Sequence, residues 1–130
     1  MNIEKQLTLS KTIQVKIVFK SLVNDHNTLF GGIALQWMDE VAYITATRFC
    51  RKKVVTISTG KINFQKPIPY GTIAELVGTV ENIGSVKLGI NVKIFIEQKY
   101  SENRELAVEG NFYFAAVDVN NKPIRLLLDN

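Results

Sequence analysis

At 130 residues, 46% of them hydrophobic and 22% charged, the chain is long enough for one compact domain and too short for two ordinary ones. That balance excludes a disordered tail. No run reaches the length of a membrane span, and Met1-Asn2-Ile3-Glu4-Lys5 has no apolar core of the signal-peptide kind, so a cytoplasmic protein without membrane insertion is expected over residues 1–130. The single cysteine, Cys50, excludes an intrachain disulfide and fits a reducing compartment. A net charge of +4 makes nucleic acid the first polyanion to weigh. The basic residues are scattered, however, except for Arg48 and Arg51-Lys52-Lys53 at an expected helix end, where the helix dipole favours cations. No aromatic residues interleave with that cluster as a base-stacking platform would, and nucleic acid is not expected as a partner.

In chain order, Ile13, Val15, Ile17 and Phe19 alternate with Thr12, Gln14 and Lys16, which predicts a first strand. Gly32 to about Phe49 holds no proline and carries apolar side chains around most of its circumference, which predicts one long, largely buried helix. Val54 to Phe64 reads as a strand whose apolar phase switches at Gly60, so a bulge or bend is expected there. Pro67, Pro69 and Gly71 mark a turn. Ile73 to Val80 is a shorter strand, and Asn82 to Ser85 the next turn. Val86, Leu88, Ile90, Val92, Ile94 and Ile96 give the cleanest alternation in the chain, a long half-buried strand. After the polar turn Ser101-Glu102-Asn103-Arg104, a last strand is predicted from Leu106 to Val119. One helix among long antiparallel strands is an α+β arrangement, with a sheet of about five strands curled around it. The apolar girth of the helix exceeds what one curved sheet can cover, so an oligomer is expected.

The chemistry concentrates in Asn24-Asp25-His26-Asn27-Thr28-Leu29-Phe30-Gly31-Gly32 and the helix that follows. Two glycines at a helix start let a carbonyl or phosphate approach free backbone N–H groups. About two turns in, Asp39 falls at the seam between small residues (Ala42, Ala46) and a polar stripe (Gln36, Glu40, Tyr43, Thr47). A partly desolvated carboxylate there would serve as a general base. The competing readings are a solvated Asp39 on a polar stripe, a glycine pair that serves close packing, and an Asn24 that is only a turn residue. With one histidine, His26, the chain excludes a multi-histidine metal cage, and no phosphate-loop or dinucleotide motif is present. Cys50 reads as a packed thiol.

The run Asn24…Thr28-Leu29-Phe30-Gly31-Gly32…Trp37-Met38-Asp39-Glu40-Val41-Ala42 resembles the hotdog-fold acyl-CoA thioesterases of the cytosolic acyl-CoA hydrolase type. Val55-Thr56-Ile57-Ser58-Thr59, Ile62-Asn63-Phe64, Pro67-Ile68 and Gly84-Ser85 extend the likeness from about Ile13 to Val119. The resemblance implies a helix wrapped by a curved antiparallel sheet, and a homodimer with a continuous sheet, assembled further as a trimer of dimers. It also implies hydrolysis of acyl-CoA without a metal or cofactor. Asp39 would be the base (or nucleophile), Asn24 would position water or thioester, and Gly31 and Gly32 would hold the oxyanion. Ser58, Thr59, Gly84 and Ser85 would line the CoA path, with Lys61 and Lys87 near its phosphates. Leu35, Met38, Ala42 and Tyr43 are the candidates for setting acyl-chain length. Where the family has glycine in this loop the chain has Asn27, a residue that tolerates the left-handed backbone. A non-catalytic acyl-CoA-binding or sensing protein is the alternative on the same fold. A hotdog dehydratase is disfavoured because His26 precedes the glycine pair.

Overall fold

The computed structural model describes residues 2–127. Its elements run α1 (Ile3–Ser10), β1 (Thr12–Ile17), a 3-10 turn (Lys20–Leu22), α2 (Gly31–Cys50), β2 (Val54–Thr59), β3 (Asn63–Phe64), β4 (Ile73–Ile83), β5 (Lys87–Glu97) and β6 (Arg104–Ala116). The strands form one antiparallel sheet in the order β1-β4-β5-β6-β2, with the two-residue β3 added against β6. The expected α+β architecture is therefore present, with a short sixth strand.

The sheet forms because β5 alternates cleanly. Leu88, Ile90, Val92, Ile94 and Ile96 are all buried on the side that faces α2. Each such side chain contributes about 1.5–3 kcal/mol on leaving water. From the helix, Met38, Val41, Ala42, Ala46 and Phe49 meet them, each with no exposed surface. The small residues on α2 bring its axis close to the sheet. At the closest point β4 has Gly78, where an added Cβ would stand 2.6 Å from Thr45 Oγ1 and 2.7 Å from Val41 Cγ1.

Several local expectations are refined. Residues Ile3–Ser10, assigned to no element from sequence, form a helix because Asn2 caps it, its Oδ1 accepting the Lys5 N–H at 3.1 Å. In β1 the apolar set Ile13, Val15 and Ile17 is exposed on the outer face of the sheet, while Gln14 and Lys16 face the helix. Lys16 is held there by the face of Trp37, its Nζ 5.3 Å from the ring centroid. The Val54–Phe64 strand is split. Its register shift falls between Thr56 and Ser58, ahead of Gly60, and pairing resumes only at Asn63. The β4 strand runs three residues beyond Val80, and β6 spans Arg104–Ala116 rather than Leu106–Val119. The expected turn at Pro67–Gly71 is present, with Gly71 at φ +86°.

The close approach at Gly78 generates a stability test. Gly78→Ala should cost about 1–3 kcal/mol, since the new methyl meets the stiff, β-branched Val41 and Thr45. Urea unfolding followed by circular dichroism would measure it, with a lower midpoint at unchanged slope as the expected result.

Candidate active site

Asp39 lies on the side of α2 that the sheet leaves open. Moving along the helix, Leu35, Gln36, Asp39, Glu40 and Tyr43 are exposed, while Met38, Val41 and Ala42 between them are fully buried. In the single chain Asp39 is thus exposed rather than half-buried, because one sheet covers only one side of the helix. The exposure leaves its environment shaped but open. Asp39, Glu40, Tyr43 and Ile44 from α2 and Gln14 from β1 line a hollow of about 340 Å³. The Tyr43 ring is set edge-on against Phe114, centroids 6.4 Å apart and planes at 64°.

The loop before the helix is built by Asn24. Its Oδ1 accepts the N–H of His26 at 2.9 Å, the N–H of Thr28 at 3.3 Å and the Thr28 hydroxyl at 3.2 Å. That is the work of a turn-forming side chain, as one of the sequence readings held. The turn also requires a left-handed residue, and Asn27 supplies it at φ 60°. Asn24 is not among the residues that line the Asp39 hollow.

At the start of α2, Phe30 is the cap residue and its side chain makes no capping hydrogen bond. Its carbonyl accepts the N–H groups of Ile33 at 3.0 Å and Ala34 at 3.1 Å. The N–H groups of Gly31 and Gly32 precede any intrahelical acceptor, which leaves two donors at the positive end of a 20-residue helix. Packing does not account for both glycines. A Cβ on Gly32 would meet nothing within 4 Å, and one on Gly31 would only touch the Phe64 ring at 3.7 Å.

The remaining sequence candidates divide. Ser58, Gly84 and Lys87 share a second hollow of about 470 Å³ with Asn82, Ile83, Gly89 and Tyr113. Ser85 lines an adjoining one with Gly84, Arg125 and Leu127. Thr59 pairs with Phe112 and so lies on the opposite, inner face from Ser58, which pairs with Tyr113. Lys61 is exposed on the β2–β3 connection, outside both hollows. Gln14 and Tyr113 escaped sequence reasoning. Gln14 lies on the polar side of a strand whose apolar side drew attention, and Tyr113 reads as one more alternating strand residue.

The basic cluster at the end of α2 is structural. Lys52 Nζ donates to the carbonyls of Arg125 at 2.7 Å and Leu126 at 2.9 Å, and Lys53 Nζ to Asn121 Oδ1 at 2.7 Å. Arg51 is the left-handed cap, its N–H donating to the Thr47 carbonyl at 2.7 Å. Cys50 is buried, and that desolvation pushes its thiol pKa up, only partly offset by the backbone N–H and the charge of Lys52. Among the described residues, no group of three or more His, Cys, Asp or Glu could hold a metal ion, and no helix is long and apolar enough to cross a membrane.

The sequence profile of the thioesterase superfamily matches residues 26–102, a span that runs from the Asn27 turn through α2 and β5 into the turn before β6. The chain belongs to that superfamily. Among curated relatives it is 36% identical over 115 residues to the uncharacterized acyl-CoA thioester hydrolase YkhA of Bacillus subtilis, covering 88% of this chain and 67% of that protein. It is 30% identical over 112 residues to the protein VdlD of Helicobacter pylori, covering 86% of this chain and 63% of that one. The chain thus spans about two thirds of the length of these relatives. Among solved structures, the acyl-CoA hydrolase of Staphylococcus aureus in complex with butyryl coenzyme A, coenzyme A and coenzyme A disulfide superposes with a TM-score of 0.87. It shares 34% identity over 92% of this chain and 73% of that one. The same enzyme has been solved with an aspartate, an asparagine and a threonine each replaced by alanine. An apo-hexameric acyl-CoA thioesterase superposes at a TM-score of 0.88 with 30% identity, covering 92% of this chain and 76% of that one. The thioesterase-superfamily chain therefore has the hotdog fold.

Two outcomes follow from the site's supports. Asn27→Gly should leave stability within about 0.5 kcal/mol of the parent, whereas Asn27→Val should cost about 1–2 kcal/mol at this positive φ, as read from thermal unfolding. Cys50 should react with an aromatic disulfide at pH 8 far more slowly in the native protein than in denaturant. Folding stability should also decline as pH rises above the thiol's ordinary value near 9.0, because the unfolded chain then ionises and the folded one does not.

Proposed function

We propose that residues 1–130 form one hotdog unit that acts as a cytoplasmic acyl-CoA thioesterase, hydrolysing acyl-CoA to a free carboxylic acid and CoA. The observation that carries this reading is the pairing, on one helix, of the two uncapped N–H groups at Gly31 and Gly32 with a carboxylate in an open hollow about two turns on. Seven to eight residues of helix is about 10–12 Å, too far for one carbonyl to meet both. In the dimer proposed below, the donors of one protomer would therefore meet the developing negative charge of a thioester carbonyl beside Asp39 of the partner subunit, with no reorganisation needed. Asp39 takes a proton from a water as that water attacks the carbonyl carbon. The tetrahedral intermediate then collapses to the carboxylic acid, the C–S bond breaks, and Asp39 returns its proton to the departing thiolate, giving free CoA and restoring the carboxylate. Thioesters are activated enough that positioning, a base and an oxyanion site suffice, so the reaction as drawn uses no metal or redox group.

The named relatives and solved neighbours support the substrate class. So does spacing. In the Staphylococcus aureus enzyme the asparagine and aspartate replaced by alanine are fifteen positions apart, and the threonine a further seventeen; Asn24, Asp39 and Thr56 repeat both intervals. Thr56 pairs with Phe114, the residue against the Tyr43 ring, which puts it on the helix side of the sheet. We assign it a substrate-positioning role beside Asn24. On the sheet's outer face, the hollow of Ser58, Gly84 and Lys87 would take part of the CoA chain, with Ser85 alongside and the Lys87 ammonium facing a phosphate; Thr59, on the inner face, and Lys61, outside the hollow, would not line it.

The active form we propose is a homodimer. Strand β2 is the last in the sheet, so its outer edge is unpaired and it carries exposed Val55 and Ile57. Phe30 and Phe64 are exposed beside the glycine pair. A second copy pairing along β2 would cover these residues, desolvate Asp39 and bring Asn24 of the partner subunit towards it. The hexameric neighbour supports assembly of such dimers in threes.

Purified protein should release thiol from butyryl-CoA, and Asp39→Asn should lower that turnover by about 10²–10⁴-fold while CoA still binds by calorimetry. Turnover by Asp39→Asn at the parent's rate would remove Asp39 as the base.

A further inference from the structure

Four side chains were open from sequence as determinants of acyl-chain length: Leu35, Met38, Ala42 and Tyr43. Their placement separates them. Met38 and Ala42 are fully buried between helix and sheet, so neither wall is available to a ligand without opening the core. Leu35 is exposed, but it is not among the residues that line the Asp39 hollow. Tyr43 lines it, one helical turn beyond Asp39 on the same side.

We infer that Tyr43 is the end wall of the acyl site and restricts this enzyme to short acyl chains. The inference rests on the thioesterase reading above and extends it to the substrate. With the thioester carbonyl beside Asp39, the acyl group takes the hollow that Asp39 shares with the following turn of α2. There it meets Tyr43 and Ile44, the apolar part of the hollow, while Gln14 and Glu40 form the rest. An alkyl chain diverted towards those two would desolvate an amide and a carboxylate with nothing in exchange.

The wall is also fixed. Tyr43 is half-exposed, yet its ring is held edge-on against Phe114, which has no exposed surface and is part of the core. Swinging the ring aside would give up that contact. Beyond it on the same stripe is Thr47, whose Oγ1 is buried without a hydrogen-bond partner among the described residues, a polar atom rather than an apolar surface for a longer chain.

The test is thiol release across a panel of straight-chain acyl-CoAs from two to sixteen carbons, on the purified oligomer, for the parent, Tyr43→Ala and Tyr43→Phe. The readout is the ratio of kcat/KM for long against short chains, which a general loss of folding or activity does not move. The parent should favour short chains. Tyr43→Ala should raise the long-to-short ratio by about tenfold or more, and Tyr43→Phe, which keeps the ring, should retain the parent's ratio. A parent optimum at long chains, or a ratio unmoved by Tyr43→Ala, would overturn the inference while leaving the hydrolase standing. No thiol release from any substrate would overturn the hydrolase reading and this one with it.

Discussion

Helix α2 can lie as near the sheet as it does because β4 has no side chain at Gly78, where Val41 and Thr45 press against the strand. That approach lets Met38, Val41, Ala42 and Ala46 be wholly buried although two of them are alanines. A larger residue at 78 would lift the helix, and the side chains of β5 would lose their partners. Close packing in a protein interior transmits such a displacement rather than absorbing it. The position of Asp39 is therefore set on the far side of the same helix by what happens at Gly78.

The open side of α2 follows from the same geometry. A sheet wide enough to bury one half of a helix leaves the other half to something else. The residues there are of two kinds: polar ones suited to chemistry at Gln36, Asp39 and Glu40, and apolar ones at Leu35 and Tyr43 whose exposure is costly in isolation. An uncapped helix start, an acid and an apolar rim all belong to this one helix. Beside it, the unpaired edge of β2 is the kind of edge that natural sheets cover or pair.

The β5 strand was legible in the sequence because it repeats its two-residue period without interruption, and α2 because a long run without proline is apolar around most of its circumference. The Asn24–Gly32 run was legible because left-handed and capless positions need particular residue types, and Asn27 sits at the positive φ it was expected to accept. What escaped depends on partners distant in sequence. Strand β1 was legible as a strand, but the contacts of Lys16 with Trp37 and of Gln14 with the Asp39 hollow decide which of its faces meets the helix. The register slip between Thr56 and Ser58 leaves no mark in composition, and it decides that these two residues, which simple alternation would put on one face, lie on opposite faces. The short helix α1 has too weak a pattern to stand out, and a single capping asparagine establishes it.

The seam between β1 and α2 has a property separate from catalysis. Its aromatic member, Trp37, is the single tryptophan of the chain, 8% exposed, and a lysine ammonium rests over its ring. Indole emission responds to both water and nearby charge, so the fluorescence of this protein reports on one place only. Loosening of β1 from the helix would change the colour and intensity of that light before the rest of the sheet gave way. The protein carries its own optical gauge at the strand that forms one wall of the hollow beside Asp39.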